Sequence, residues 1–390
     1  MLNPFLARRI FEFPVRPVLV EVQPEFLDRV VSALGGPGLT LRNIITQFSM
    51  IGLVAVPSKL IPVIESLPGV RMVHADLQVN TLELPATADW WLTSESRKVL
   101  EAESAFKDGW TGEAVRLAVI DTGVDPSHPQ LVGAEWHSVI TIPREPGLDA
   151  GPQASGHGSH VASTAAGKYH MAETGPFVEG VSRAQVFSIQ ALGRVVGTGF
   201  TSEVVNAMAL ALESGARVVN MSLGSQECQG GCEVCPQCRA VKQLADRGVL
   251  VAVAAGNSGP DPDTIGCPGC APQAITVAAV DRLGQVASFS SRGGSKFPSK
   301  PDVAAPGVNI FSGTGRGSQV DLGDPTAGFG YAAISGTSMA TPHIAGLLAL
   351  LRHRTPGMTP EQFKAVIQVR GQTFDNALGW GVPKWAWFRT

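Results

Sequence analysis

The chain has 390 residues, 44% of them apolar, with 44 Gly, 28 Pro and a formal net charge of −3. That composition suits a large globular core with many tight loops and excludes a disordered or fibrous chain; the small net charge gives no pull toward nucleic acid or an anionic membrane. No apolar run reaches the roughly 18 residues of a membrane span. The opening MLNPFLARRIFEFPVRPVLVEV has no apolar stretch followed by a small-residue cleavage site, so the expectation is a cytoplasmic chain or a secreted one whose signal has been trimmed.

In chain order, PVLVEV (17–22) alternates as a strand. PEFLDRVVSALGG (24–36) spaces Phe26, Leu27, Val30, Val31 and Leu34 along one helix face and stops at Gly35-Gly36. IITQFSMIGLVAVP (44–57) carries strand signals broken at Gly52, which predicts a hairpin there. SKLIPVIESLPGV predicts a second helix behind a Ser cap, and VRMVHAD (70–76) a last strand. The order β-α-β-β-α-β is the ferredoxin-like split motif, which by itself assigns no function. NTLELPATADWWLTSESRK has no periodicity and holds Pro85, so it is expected to be a linker, with Trp90-Trp91 as a docking contact.

From about residue 95 onward strands and helices alternate. AVRLAVID (114–121), AQVFSIQAL (184–192), RVVNMSLG (217–224), VLVAVAAGN (249–257) and AITVAAVD (274–281) are nearly continuous apolar runs. Such runs are strands buried on both faces, hence a mostly parallel sheet covered by helices. TSEVVNAMALALESGA (201–216) is expected to be one of those helices, opened by a Thr/Ser cap. The fold class is therefore a doubly wound α/β sheet preceded by a small α+β domain. In such sheets sites gather beyond the carboxyl ends of the strands.

Four polar residues stand at those ends. Asp121 closes the strand AVID, His157 opens a small-residue helix in SGHGSHVAS, Ser338 opens another in SGTSMATPHIAG, and Asn257 follows VAVAAG. Singly, each has a plain structural use as a cap, turn former or packed side chain. Together they are the parts of acyl transfer. A serine hydroxyl needs a base, His157 is an imidazole, whose unperturbed pKa lies near neutrality, Asp121 can hold its tautomer, and the Asn257 amide with the Ser338 N–H can stabilise an oxyanion. Gly156, Gly158 and Gly336 leave room for close backbone approach. Pro342 is expected in the first turn of its helix, where a missing N–H costs little.

These motifs, in this order, resemble the subtilisin-like serine proteases over about residues 95–385. The resemblance implies a serine endopeptidase with Asp121, His157 and Ser338 as triad and Asn257 in the oxyanion hole. It makes Gly197 and Gly199 of GTGF, with Ser222, Leu223 and Gly224, the walls that pair with substrate backbone. Ala254, Ala255, Gly256 and Gly266 become walls of an S1 pocket suited to an apolar P1 side chain. Residues 1–82 resemble the family's inhibitor-type propeptide, 83–94 a processing linker and 95–390 the catalytic domain. Counting along the family pattern puts self-cleavage between Leu82 and Glu83, with Val79 at P4 and Leu84 as the fallback P1. The implied partners are polypeptide substrates and the chain's own propeptide as inhibitor, with no nucleic acid and no membrane span. The chemistry needs no cofactor. Gln130 stands in HPQL where the family commonly has a calcium-binding Asp, which weakens the case for calcium. Ser159 and Ser163 replace the family's usual Thr and Gly. His160, three residues after His157, lacks the i, i+4 spacing and the Glu of a zincin helix and is expected to be structural, as is His343.

The six cysteines cluster as CQGGCEVCPQC (Cys228, Cys232, Cys235, Cys238) and CPGC (Cys267, Cys270). Paired CxxC motifs suit a zinc site, with Cys235, Cys238, Cys267 and Cys270 as its ligands; an even count equally suits disulfides in an oxidising compartment. A catalytically silent or regulatory binding protein built around this zinc or redox cluster is the alternative to the peptidase.

Overall fold

The computed structural model describes residues 15–35, 39–81, 84–85, 90–140, 156–171, 177–193, 197–226, 228, 230–315 and 330–389. A seven-stranded sheet runs through the larger part of the chain, in the order Val303–Pro306, Ile275–Val280, Leu250–Ala254, Val218–Met221, Arg116–Asp121, Gln185–Gln190, Glu135–Ser138. Every neighbouring pair is parallel. The five expected strands are all present; the two outermost, Val303–Pro306 and Glu135–Ser138, carried too little periodicity to be expected.

Alternation along each strand distributes side chains to two cores. Leu117 and Val119 join Val218, Leu250 and Ala252 on one face, packed on the helices Gly156–Ala166 and Thr337–Arg354. Ala118 and Ile120 join Val219, Val251 and Val253 on the other, under the helices Thr201–Glu213 and Pro236–Asp246. The helix Thr337–Arg354 is buried almost throughout. Small residues permit this: a Cβ on Gly346 would stand 2.5 Å from the Val181 side chain. Pro342 lies inside this helix, beyond its first turn and not within it as expected. The carbonyl that its missing N–H would have engaged is that of Ser338, and it accepts a hydrogen bond from Ser222 Oγ instead, at 2.8 Å.

The N-terminal unit has the expected β-α-β-β-α-β order, with antiparallel strands arranged Leu41–Ile45, Met50–Pro57, Val15–Val22, Val70–Ala75. Its hairpin turns at Thr46–Ser49, where Ser49 takes φ 52°, and not at Gly52. Gly52 sits within the second strand, where a Cβ would meet Asn43 Oδ1 at 2.2 Å. One face of this sheet closes its own core through Val18, Val20, Leu53 and Val73. The other sends Leu19, Ile45 and Met50 onto the helices Thr201–Glu213 and Pro236–Asp246. The segment expected to be a linker, with the two residues before it, supplies three short strands. Gln78–Thr81 lies between Thr198–Phe200 and Leu223–Gly224, Leu84–Pro85 pairs with Tyr331–Ser335, and Trp91–Leu92 pairs with Ile310–Gly313. Trp90 stacks on Phe311 with ring centroids 5.0 Å apart, the docking contact expected of it. None of the described helices is long and apolar enough to cross a membrane.

The expected Thr/Ser cap of the helix Thr201–Glu213 is absent; Glu203 accepts from the Phe200 N–H at 3.0 Å, and a second cap comes from outside the segment. Asp76 accepts from the Ser202 N–H at 2.7 Å and from Ser202 Oγ at 2.6 Å. Burial pushes the Asp76 carboxyl up to about 6, against the opposing pull of the Ser202 bonds and of Arg42. Asp76→Ala should therefore free the first turn of this helix. A lost cap costs about 1 kcal/mol, so amide exchange at Ser202 should rise about fivefold; unchanged protection would show that the cap carries no weight.

Candidate active site

Three adjacent strands place the site. Ile120 pairs with Met221 and Met221 with Val253, so the residues just beyond them emerge side by side at the carboxyl edge of the sheet. Asp121 ends its strand fully buried, and its Oδ1 lies 2.7 Å from His157 Nδ1 and accepts from the Thr122 N–H at 2.7 Å. His157 belongs to the first turn of its helix. That helix comes close because Gly158 has no Cβ: one placed there would stand 2.0 Å from the Gly123 carbonyl oxygen. Gly123 itself turns at φ 92°, a conformation glycine adopts at no steric cost. The Gly158 N–H then reaches Thr122 Oγ1 at 3.0 Å. His157 is 3% exposed.

On the next strand, Ser222 and Ser338 are bonded in both directions. Ser338 Oγ donates to the Ser222 carbonyl at 2.9 Å, and Ser222 Oγ donates to the Ser338 carbonyl released by Pro342. Ser338 is the second residue of its helix, where unpaired N–H groups and the helix dipole favour negative charge. Beyond the third strand, Asn257 accepts through Oδ1 from Thr337 N–H at 3.0 Å and from Thr337 Oγ1 at 2.9 Å. Both bonds orient the amide, leaving Nδ2 as a buried donor with no partner among the described residues. Such a donor is costly to keep without a use. Thr337 also accepts from the Gly256 N–H at 3.2 Å. The sequence reading missed Thr122, Thr337 and the Ser222 hydroxyl as supports; the only signal was their place beside Asp121, Ser338 and Asn257.

A cavity of about 270 Å³ is lined by Ala254, Gly256, Asn257, Gly266, Gly224, Ser225 and Thr264, with Asn80 and Thr81 across it. Ala255, expected on that wall, is not among these lining residues; it is fully buried in the core, with its N–H on the Val277 carbonyl and its own carbonyl accepting from the Gly266 N–H. The strand Gln78–Thr81 crosses this edge. Gly199 pairs with Val79, Gly224 with Asn80 and Leu223 with Thr81, and the Thr81 N–H donates to the Gly197 carbonyl at 2.8 Å. Leu82 and Glu83 lie outside the described residues.

His160 and His343 are structural in their geometry. His160 Nε2 meets the Ile310 carbonyl at 2.8 Å, while His343 bonds Met339 O through Nδ1 and Ser96 Oγ through Nε2. Gln130 spends its amide N–H on the Lys168 carbonyl at 3.2 Å, and a neutral amide is a weak substitute for a carboxylate calcium ligand. Among the described residues, the groups of three or more side chains able to share a metal are made of cysteines alone. They are Cys228, Cys232, Cys238, Cys270 and Cys228, Cys235, Cys238, Cys267, so the expected set of Cys235, Cys238, Cys267 and Cys270 is regrouped by Cys228 and Cys232. None of the six is joined in a disulfide.

A carboxylate-held imidazole, a serine hydroxyl at a helix N-terminus and a spare amide donor are the parts of acyl transfer through a covalent serine. Comparison with known proteins agrees with that chemistry. Residues 112–381 match the model of the subtilase family. The chain is 32% identical over 332 residues to the serine protease AprX of Bacillus subtilis strain 168, covering 80% of this chain and 72% of that protein. It is 33% identical over 318 residues to the M-protease of Shouchella clausii, covering 80% and 70%. Fervidolysin from Fervidobacterium pennivorans, described as a keratinolytic enzyme related to subtilisin, superposes with a TM-score of 0.74 at 24% identity. That match covers 96% of this chain and 60% of the fervidolysin chain, and at this identity it speaks for the fold alone.

Burial lowers His160 to about 3 and His343 to about 4 from the ordinary 6.5, so both are neutral in the folded protein. The unfolded chain takes up these protons first. The stability they confer is complete above pH 6.5 and is lost progressively as pH falls from 6.5 to about 4 for His343 and to about 3 for His160. At about 1.4 kcal/mol per pKa unit, the urea midpoint should drop steeply over this window, and His343→Gln should flatten part of the slope. A midpoint that stays level from pH 6.5 to 4 in the wild type would contradict this.

Proposed function

The chain belongs to the subtilase family and is a subtilisin-type serine endopeptidase, and on that premise we propose that Ser338 is its nucleophile, His157 the general base, Asp121 the group that orients and stabilises the imidazolium, and Asn257 an oxyanion donor. The observation that carries this reading is the His157–Asp121 contact of 2.7 Å one strand away from the Ser338 hydroxyl. Rotation of Ser338 about Cα–Cβ would break its bond to the Ser222 carbonyl and turn Oγ to the substrate carbonyl. His157 then takes the proton during attack and returns it to the leaving amine. The Asn257 Nδ2 donor and the Ser338 N–H receive the developing oxyanion, and neither must reorganise as the charge forms.

We further propose that residues 1–82 are a propeptide and intramolecular inhibitor, joined by a processing linker (83–94) to the catalytic domain (95–390). The strand Gln78–Thr81 supports this, because it fills the place between two backbone walls that a substrate strand would take. Leu84 pairs with Ser335, three positions before Ser338, so the chain is held on both sides of the bond between Leu82 and Glu83. The small Ala and Gly walls of the cavity beside Asn257 favour an apolar P1 side chain such as Leu82. Gly197, Gly199, Ser222, Leu223 and Gly224 act as the substrate's backbone partners. Calcium is not needed for any of these steps.

Ser338→Ala should fold and lose turnover by about 10⁴–10⁶ in kcat, and should fail to label with a fluorophosphonate that labels the wild type. Asn257→Ala should lose about 10²–10³, since one oxyanion donor remains. A folded Ser338→Ala protein that hydrolyses peptides at the wild-type rate would end the assignment. Sequencing the mature form should give an N-terminus at Glu83, with Pro85 as the fallback, and released 1–82 should inhibit it in trans. A start well inside the catalytic domain, or normal processing of Leu82→Asp at the same bond, would refute the processing scheme.

A further inference from the structure

Six sulfurs converge where the segment around Cys228–Cys235 and the first turn of the helix Pro236–Asp246 meet the loop carrying Cys267 and Cys270. Within each group of four, every sulfur lies within 4.8 Å of the others. Cys228–Cys238 is 3.8 Å, Cys238–Cys267 3.7 Å, Cys238–Cys270 3.6 Å, Cys232–Cys270 3.3 Å and Cys235–Cys267 3.2 Å. A disulfide would hold two sulfurs about 2.05 Å apart and leave the other pairs free to separate. A tetrahedral ion with bonds of about 2.3 Å spaces its sulfurs about 3.8 Å apart and keeps all four together. The observed spacings lie near the second pattern.

The two groups share Cys228 and Cys238. We propose that the six cysteines hold one binuclear zinc cluster, with Cys232 and Cys270 completing one ion, Cys235 and Cys267 completing the other, and Cys228 and Cys238 bridging both. Two separate tetrahedral ions would need eight thiolates; six suffice only when two are shared. A single ion would leave two thiols crowded against it without a role. Six soft sulfurs with no oxygen or imidazole among them select zinc or another thiophilic dication and reject calcium and magnesium. Six thiolates and two dications leave a charge of about −2, which the N-terminus of the helix behind Cys235 favours. An open cavity of about 750 Å³ reaches Cys228, Cys232 and Cys270 from outside, with Lys296 and Lys300 on its wall, so an ion has a route in.

The cluster would also hold one wall of the smaller cavity. Ser225 and Cys267 exchange backbone hydrogen bonds at 2.9 and 2.8 Å, and Ser225 and Gly266 both line that cavity. The metal assignment stands apart from the peptidase reading, because it rests on the sulfurs alone.

The test uses the full chain as Ser338→Ala, purified without added metal or chelator. Elemental analysis should give two zinc ions per chain, and six thiols should become titratable after unfolding in chelator. Exchange to cadmium-113 should give two resonances in the all-thiolate range, each split by the other through the shared sulfurs. One ion per chain with two thiols open to alkylation would overturn the proposal. So would absence of metal with the thiols lost to three disulfides, or two cadmium resonances without mutual coupling.

Discussion

The register of three parallel strands is the constraint on which the site depends. Parallel pairing sends all three carboxyl ends to one edge, and the alignment of Ile120, Met221 and Val253 makes Asp121, Ser222 and the Ala254–Asn257 turn neighbours there. A slip of one residue would turn Ile120 from one core to the other and carry Asp121 away from His157. The buried helix Thr337–Arg354 is then locked to that edge through Ser338 with Ser222 and Thr337 with Asn257. Pro342 is part of the lock, since the carbonyl it leaves open is the one that receives Ser222 Oγ. A residue that would weaken an isolated helix here frees the acceptor that joins helix to sheet.

The N-terminal unit and the edge of the sheet are coupled over a very short stretch of chain. Asp76 caps the helix Thr201–Glu213, the Leu77 carbonyl accepts from the Thr201 N–H, and the next residue begins the strand that fills the cleft. The contact of the unit with this helix therefore passes into the strand between Thr198–Phe200 and Leu223–Gly224 without an intervening residue. The buried Asp76 carboxylate is expensive on its own. Arg42 of its own unit offsets part of that cost, and the two bonds to Ser202 across the contact offset more of it.

The wall beside Asn257 is built from Ala, Gly and Ser, which leave space but provide little stiffness of their own. Its support comes from behind. Ser225 is bonded to Cys267, and the cysteines on both sides of that contact converge on one another. Room for a side chain in front and close sulfur contacts behind are compatible because the two faces of the loop use different residues.

Much of this was legible in the sequence, for local reasons. Uninterrupted apolar runs such as LVAVA and ITVAAV identify strands buried on both faces, and polar residues closing those runs or opening the small-residue helices mark the edge where chemistry gathers, so Asp121, His157, Asn257 and Ser338 could be named as candidates from the sequence. The short edge strands and the three strands in and just before the supposed linker could not be named, because their pairing partners lie far away in sequence and only the partner makes them strands. The same holds for the cap on Thr201–Glu213, supplied by Asp76 from 126 positions earlier, and for Pro342, whose meaning depends on Ser222 being opposite it. The cysteines divide the same way: their types and CxxC spacing pointed to metal or disulfide chemistry, but which sulfurs stand together is a distance between separate loops. Composition and periodicity report what a residue does to its own stretch of backbone; which distant group it finally faces was decided by tertiary packing, because only the folded sheet brings those loops within a few ångströms of each other.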